Sequence, residues 1–236
     1  VDAYAMESQK RATHARDNGY FDKSVVPVLD KNGLTILDRD DFIKPNTSME
    51  ILAGLNPSFE MMGSMAFDDI ILSKYNKLEK ISHVHTPGNS SGIVDGASAV
   101  LIGSQKAGQD LNLKARGRII AGAILASDPV IMLTGPGPSA KKCLKTAGLK
   151  TTDVDLWEIN EAFASVPLRY MNDLEIDYSV TNVNGGAIAM GHPLGATGAV
   201  LVSTMLDELE RRDLNIGMMS LCVGGGMGIS CLIERV

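Results

Sequence analysis

A single histidine and a single cysteine lie in the two most glycine-rich stretches of the sequence. His192 lies within the run Asn184–Ala196, and Cys222 stands directly before the run Val223–Gly228. Glycine lets the backbone approach another backbone or a ligand closely, and exposed backbone N–H groups can bind a developing negative charge. A histidine and a cysteine in such surroundings favour chemistry at a carbonyl group, in which these side chains move protons.

A third candidate, Asn160, directly follows the apolar segment Val154–Ile159, which we interpret as a strand. The ends of strands at strand-to-helix turns are common positions for site residues in α/β proteins. The structural alternative is that Asn160 caps the helix that we predict over residues 161–172. Structural roles also stay open for the other two candidates, because a free cysteine is usually a small buried residue.

Four segments resemble, in the same order, the signature motifs of the thiolase family. They are Pro87–Gly92, similar to the coenzyme A loop of that family, then Asn160–Ala164, the Gly191–Pro193 region, and Cys222–Gly228. The resemblance runs over the whole chain and implies an α/β fold, a thiolase-like layered sandwich. The chain would form the C-terminal half of that fold, a mixed sheet covered by helices, together with part of the loop domain.

The resemblance also implies catalytic roles for individual residues. His192 would help to activate a nucleophilic thiol and would donate a hydrogen bond to the thioester oxygen. Cys222 would be the acid/base that moves the proton on the alpha carbon. Asn160 would hold a water that forms an oxyanion hole with His192, and the backbone N–H of Gly224 would contribute to a second oxyanion hole.

Coenzyme A and acyl-CoA are the expected substrates, and no tightly bound cofactor is expected. Ser91, Ala162 and Phe163 match positions that line the pantetheine channel in the family. Lys44 lies near a position that contacts the nucleotide end of coenzyme A. A metal site is not expected, because His83 and His85 form a pair without a third ligand in the sequence.

The cysteines depart from the family pattern. Thiolases use an additional nucleophilic cysteine in their N-terminal half, and none of Cys143, Cys222 and Cys231 fits that motif. We interpret Cys143 and Cys231 as structural. Because the chain begins with Val1 rather than Met, we expect a fragment or a chain whose nucleophile is supplied by another piece. Such a half should expose an apolar face.

The leading hypothesis is a thiolase-type acyltransferase of fatty-acid beta-oxidation, which cleaves 3-ketoacyl-CoA with coenzyme A or runs the reverse Claisen condensation. One alternative is a non-catalytic coenzyme A-binding or scaffold chain, and another is a biosynthetic acetoacetyl-CoA thiolase. A ketoacyl synthase is less consistent with the sequence, because those enzymes usually have a second histidine at the position of Cys222. The family leads us to expect a homo-oligomer, with a hydratase/dehydrogenase subunit as a candidate partner.

Composition is typical of a globular protein. The 236 residues are 44% hydrophobic and 21% charged, and the net charge of −6 argues against a nucleic-acid partner. No apolar run approaches the ~20 residues of a membrane span, and the N-terminus lacks signal-peptide features. Three cysteines, an odd number, suit a reducing compartment. We therefore expect a cytoplasmic protein, with the mitochondrial or peroxisomal matrix as alternatives.

The sequence pattern predicts two regions. By the resemblance, residues 1–92 would be the remainder of the loop domain, with an insertion at 60–80, and residues 93–236 would be the C-terminal thiolase domain. The insertion is either a surface helix that packs its apolar side on the domain or a docking element for a partner or an acyl chain.

In the first region, the sequence predicts a helix over Val1–Arg16, a hairpin at Asp30–Gly33, and a helix Ser48–Leu55 capped by Asn46 or Thr47. In the second region, it predicts a strand Ala97–Ile102, then alternating helices and strands, and finally a strand pair around the last glycine run.

Overall fold

A four-stranded mixed sheet between helices forms the centre of the protein, whose residues 1–236 are all described by a computed structural model. The strands are β1 (Val28–Leu29), β2 (Thr35–Leu37), β3 (Gly117–Ala126), β4 (Leu156–Ile159), β5 (Ile216–Val223) and β6 (Met227–Arg235). The strand order in the central sheet is β3-β6-β5-β4, with β6 antiparallel to both neighbours and β4 parallel to β5. The α-helices are α1 (Asp2–Asp17), α2 (Met49–Ala53), α3 (Glu60–Met62), α4 (Asp68–Lys74), α5 (Gln105–Asp110), α6 (Pro136–Ala147), α7 (Ser165–Leu174), α8 (Ala187–Met190) and α9 (Thr197–Arg212).

Alternation along the strands divides the core between the two faces of the sheet. Trp157 and Met218 pack on one face, beneath helices α6 and α7, whereas their neighbours Leu156 and Met219 pack on the other, beneath α9. Successive residues of a strand point to opposite faces, so each strand supplies both clusters. A mixed sheet covered by helices, as expected from the sequence, is confirmed.

The N-terminal helix ties the rest of the chain to this core. The predicted helix at Val1–Arg16 is confirmed as α1, which ends at Asn18 before Gly19 with φ +69°. Its buried side packs on α8 and α2. The hairpin of β1 and β2 is also confirmed, with shorter strands than predicted. These contacts place α1 beside the segment that leads to His192.

Three sequence predictions are wrong in detail. Helix α2 is capped by Ser48, whose side chain accepts a hydrogen bond from the N–H of Ile51, and not by Asn46 or Thr47. Residues Ala97–Ile102 form no strand: their backbone makes no hydrogen bond to another strand, and Leu101 and Ile102 are exposed. Helix α7 begins only at Ser165, so Asn160 does not cap it.

The segment 60–80 is a broken helix on the surface. Helices α3 and α4 are joined by a π-helical turn, Gly63–Phe67, in which Ala66 has φ +103° and kinks the chain. The side of α4 that carries Ile71 and Tyr75 is half-buried, in part agreement with the predicted packing face. Several other apolar side chains of the segment are exposed: Met61, Met62, Met65, Phe67, Ile70 and Leu78.

Part of the sheet has no helix over it. Ile233 packs with the α9 cluster, and Ile229 lies four residues earlier on β6, on the same face. Ile124 is the partner of Ile229 on β3, and both side chains are exposed. The exposed apolar face expected from the sequence is therefore present. None of the helices has the length and apolar character that a membrane crossing requires.

Candidate active site

The side chains of His192 and Asn160 meet at the carboxyl end of the parallel strand pair. Asn160 directly follows β4, and its N–H donates to the carbonyl of Ser220 on β5 at 3.0 Å. The Asn160 side chain reaches His192, with Nδ2 3.3 Å from the imidazole Nε2. Cys222 lies two residues beyond Ser220 on β5, so all three candidates lie at the same end of the sheet.

The hydrogen bonds of His192 define its tautomer. Its Nδ1 lies 2.6 Å from Oγ1 of Thr197, and that hydroxyl donates its proton to the carbonyl of Pro193 at 3.0 Å. A hydroxyl has one proton, so the contact of Thr197 with Pro193 favours Nδ1–H as the donor to Oγ1. Nε2 is then unprotonated in the neutral ring and faces Asn160. Burial lowers the pKa of His192, which favours this neutral form.

The amide of Asn160 has a second polar atom that the chain leaves unpaired. Asn160 is 1% exposed, and its Oδ1 is buried without a hydrogen-bond partner. A buried polar atom without a partner is costly, and such atoms are usually satisfied by water or a ligand. Asn160 can therefore hold a small polar group while it contacts His192.

Cys222 is half-buried, and burial raises the pKa of its thiol. Burial also raises the pKa of Cys231, and it raises that of the fully buried Cys143 to about 11. All three cysteines are free. At neutral pH each side chain is a thiol, which can give a proton but is a weak nucleophile.

An open glycine turn links Cys222 to β6. Gly224 is exposed, and a Cβ added there would meet nothing within 4 Å. Gly225 and Gly226 follow with φ of +82° and +90°, a backbone conformation that side chains disfavour. The structure therefore leaves space beside Gly224 for a ligand atom.

The residues expected to contact coenzyme A form one cluster and one outlier. The N–H of Ser91 donates to the carbonyl of Ala162 at 3.0 Å, and Ser90 is bridged to Phe163. Lys44 is exposed, with Nζ 4.6 Å from the ring centroid of Phe42. Lys44 is connected to this cluster through Phe42, whose ring lies against Gly92, the residue after Ser91. The carbonyl of Gly92 accepts a hydrogen bond from the N–H of His192 at 2.9 Å.

Sequence reasoning missed Glu161, which is fully buried next to Asn160. Its carboxylate accepts hydrogen bonds from Tyr4 Oη at 2.8 Å and Ser8 Oγ at 2.7 Å on α1. It also accepts from Asn182 Nδ2 at 2.9 Å and from the Ile188 N–H at 3.1 Å. Glu161 thus joins α1, the Asn160 turn and the segment before His192. A charged residue two positions after a buried strand was the available signal.

The weaker sequence patterns have structural roles. Nε2 of His83 pairs with Asp68 at 2.8 Å, whereas His85 contacts Asn89 and Ser165, so the two imidazoles do not converge. No group of three or more histidine, cysteine or acidic side chains could hold a metal ion. The Gly135–Pro138 run starts α6, where Gly135 lies against the backbone of β6.

Comparison with known families decides the relationship of this chain. A sequence profile described as "Thiolase, C-terminal domain" matches residues 113–235, and one described as "Thiolase, N-terminal domain" matches residues 1–70. The chain belongs to the thiolase family. The layered α/β architecture described above is that of a thiolase: a solved thiolase, the human mitochondrial 3-ketoacyl-CoA thiolase in complex with CoA, superimposes with a TM-score of 0.86 and 38% identity.

Two curated relatives have similar sequences. An acetyl-CoA acetyltransferase of Shinella zoogloeoides is 39% identical over 100% of this thiolase chain, and a 3-ketoacyl-CoA thiolase of Serratia proteamaculans is 40% identical over the same share. The chain covers 55% and 57% of these relatives, and 54% of the human thiolase. It therefore spans about half the length of the relatives that it matches.

Proposed function

We propose that this chain supplies the acid–base and coenzyme A-binding part of a thiolase-type acyltransferase. The reaction would be the cleavage of 3-ketoacyl-CoA by coenzyme A, or the reverse Claisen condensation. The observation that supports this proposal most strongly is the contact between His192 and Asn160, 3.3 Å apart, at the sheet edge that also carries Cys222. The names of the relatives, acetyl-CoA acetyltransferase and 3-ketoacyl-CoA thiolase, agree with it.

The protonation states suit the proposed steps. His192 is neutral with an unprotonated Nε2, so it can accept the proton of a nucleophilic thiol and then donate it in a hydrogen bond to the thioester oxygen. The thiol of Cys222 keeps its proton at neutral pH and can transfer it to the carbanion that cleavage leaves on the acetyl group. In the condensation direction the same sulfur takes the proton back. Asn160 and the N–H of Gly224 would stabilise the oxygen on which charge develops.

We propose that Ser91, Ala162 and Phe163 line the pantetheine channel, and that Lys44 contacts the nucleotide end of coenzyme A. The first three form one contact cluster beside the Gly92 loop, which holds the backbone of His192. An exposed ammonium group on Lys44 could pair with phosphate, which supports its assignment. We also propose that residues 1–92 and 93–236 are separate regions and that 60–80 is an insertion.

The nucleophile is proposed to come from outside the residues described above. Burial raises the pKa of all three thiols, whereas an acyl-accepting cysteine needs a lowered pKa or an adjacent base. The same observation favours a second candidate function, a chain that binds coenzyme A without catalysing a reaction. The two functions differ in whether a supplied nucleophile restores turnover.

Calorimetric titration of coenzyme A into the chain, followed by thiolysis of acetoacetyl-CoA, separates these functions. Thiolysis is measured with the chain alone and with the N-terminal half of the Shinella zoogloeoides relative added. Phe163→Ala should weaken coenzyme A binding, whereas Phe67→Ala, an exposed control, should not. Activity only with the added half, lost in His192→Ala, supports the enzyme.

The other outcomes of this experiment contradict one function or both. Binding without activity in either arm would favour the non-catalytic chain. Activity of the chain alone would contradict the proposed origin of the nucleophile. Absence of coenzyme A binding would refute both functions.

We also propose a homo-oligomer that works in fatty-acid beta-oxidation, with a hydratase/dehydrogenase subunit as a possible partner. The uncovered sheet face around Ile124 and Ile229 supports association with another polypeptide. The three free thiols are consistent with a reducing compartment, for which we propose the cytoplasm or an organelle matrix. Light scattering of the purified chain at several concentrations tests the oligomer, and a monomer at all of them would refute it.

A further inference from the structure

The broken helix at 60–80 is attached to the body of the protein through Asp128. This carboxylate accepts a hydrogen bond from Nζ of Lys74 at 2.6 Å and another from the hydroxyl of Tyr75. One oxygen also accepts the N–H of Val130 at 3.0 Å, which holds the side chain in a fixed turn. Hydrogen bonds to the lysine and the tyrosine lower the pKa of Asp128 to about 2, so it is a carboxylate throughout the neutral range.

The loop that contains Asp128 also holds the glycine turn after Cys222. The carbonyl of Gly226 accepts two hydrogen bonds from Ser127, one from the backbone N–H at 2.6 Å and one from Oγ at 2.8 Å. A Cβ on Gly226 would lie 2.9 Å from Cα of Pro129 and 3.0 Å from the carbonyl carbon of Asp128. The turn and the loop are therefore packed backbone to backbone, and the position of one fixes the other.

We propose that Asp128, held by Lys74 and Tyr75, is a positioning residue for the glycine turn that carries Gly224 and adjoins Cys222. The contact runs from the surface segment, through Asp128 and its neighbour Ser127, to Gly226. The proposal deepens the function proposed above, since it rests on the assignment of Cys222 and Gly224 to the site. It gives α4 a role in the site although α4 supplies no side chain to it.

The reasoning gives a specific consequence for the thiol of Cys222. Half-burial holds its pKa above the ordinary value. If the turn is released, Cys222 becomes more accessible to solvent, more of it is thiolate at a given pH, and it reacts faster with an alkylating reagent. Cys143 is a buried residue of α6, and Cys231 is on β6 away from the turn, so neither should change.

The test is alkylation of the full chain by iodoacetamide between pH 7 and 10, with the rate at each cysteine measured by mass spectrometry of its peptide. Asp128→Asn and Tyr75→Phe should each raise the rate at Cys222 about fivefold at pH 8, the factor that corresponds to the loss of one hydrogen bond between the surface segment and Asp128. The rates at Cys143 and Cys231 serve as references inside the same molecule. Lys106→Met, which breaks an exposed ion pair with Asp110, is the matched control and should change none of the rates.

An unchanged rate at Cys222 in both variants would overturn the proposal. A rise shared by all three cysteines would also overturn it, because that pattern indicates general destabilisation rather than release of one turn. The assay requires neither coenzyme A nor turnover. A failure here therefore differs from a failure of the proposed function, which the thiolysis experiment detects.

Discussion

Replacement of Glu161 by glutamine should destabilise the protein strongly, because this buried carboxylate accepts four hydrogen bonds. Oε1 accepts hydrogen bonds from Tyr4 Oη and Asn182 Nδ2. Oε2 accepts hydrogen bonds from Ser8 Oγ and the N–H of Ile188. Glutamine keeps one acceptor oxygen and puts an NH2 group in place of the other. A hydroxyl can rotate to accept from that NH2, but the N–H of Ile188 and the amide of Asn182 cannot.

The magnitude follows from what is lost. Either orientation of the glutamine leaves an N–H donor facing another donor in a site with no exposure to water. Hydrogen bonds to charged groups contribute about 1.5–3 kcal/mol each, and a buried unpaired donor costs about 1–3 kcal/mol. We therefore expect Glu161→Gln to lower the free energy of unfolding by about 3 kcal/mol. For a chain of this length that corresponds to a fall in Tm of about 6–12 °C.

Urea unfolding followed by circular dichroism, together with a thermal scan, measures this loss. Glu60→Gln makes the same chemical change at an exposed residue of α3 and should stay within about 0.5 kcal/mol of the wild type. A loss below about 1 kcal/mol in Glu161→Gln would refute the reasoning, since it would mean that the four contacts do not hold the carboxylate. Because Glu161 links α1 to the segment before His192, the variant should also shift the imidazole resonances of His192.

Three further predictions concern titration and turnover. Burial lowers the folded-state pKa of His192, so an NMR titration of its imidazole should give a midpoint below 6.5. The free energy of unfolding contributed by this group should therefore rise with pH between that midpoint and 6.5. A midpoint at or above 6.5 would contradict this prediction. Cys222→Ser, assayed with the nucleophile-bearing half added, should lower thiolysis about 100-fold or more while acylation of the nucleophile stays detectable by mass spectrometry; turnover near wild type would exclude the acid/base role. Arg116 lowers the pKa of Glu210 to about 2, so the stabilisation from this carboxylate should be present above about 4.5 and lost as the pH falls towards 2. Arg116→Met should weaken this dependence in thermal scans, and an unchanged dependence would show that the pair is not its source.

The sequence alone was sufficient for the features that depend on local pattern. Alternating strands and helices predicted a sheet covered by helices, and the strand pair around the last glycine run is β5 and β6. The helix predicted over Val1–Arg16 ends before Gly19, which adopts a positive φ that other residues disfavour. The resemblance of four motifs predicted the family and named His192, Asn160 and Cys222 together, although they are distant along the chain.

Other features depended on partners that are remote in sequence, and the tertiary structure decided them. The apolar pattern of Ala97–Ile102 favours a strand, but a strand needs a neighbour for its backbone hydrogen bonds, and the backbone of this segment makes none. The contact between Asn160 and His192 joins the end of β4 to the loop between α8 and α9, 32 residues later in the chain, and only the folded chain brings them together. The roles of Glu161 and Asp128 were also decided by the fold, since each depends on donors that lie far away along the chain. Local pattern determines which elements form, whereas the position of a buried or paired charge depends on the three-dimensional set of its neighbours.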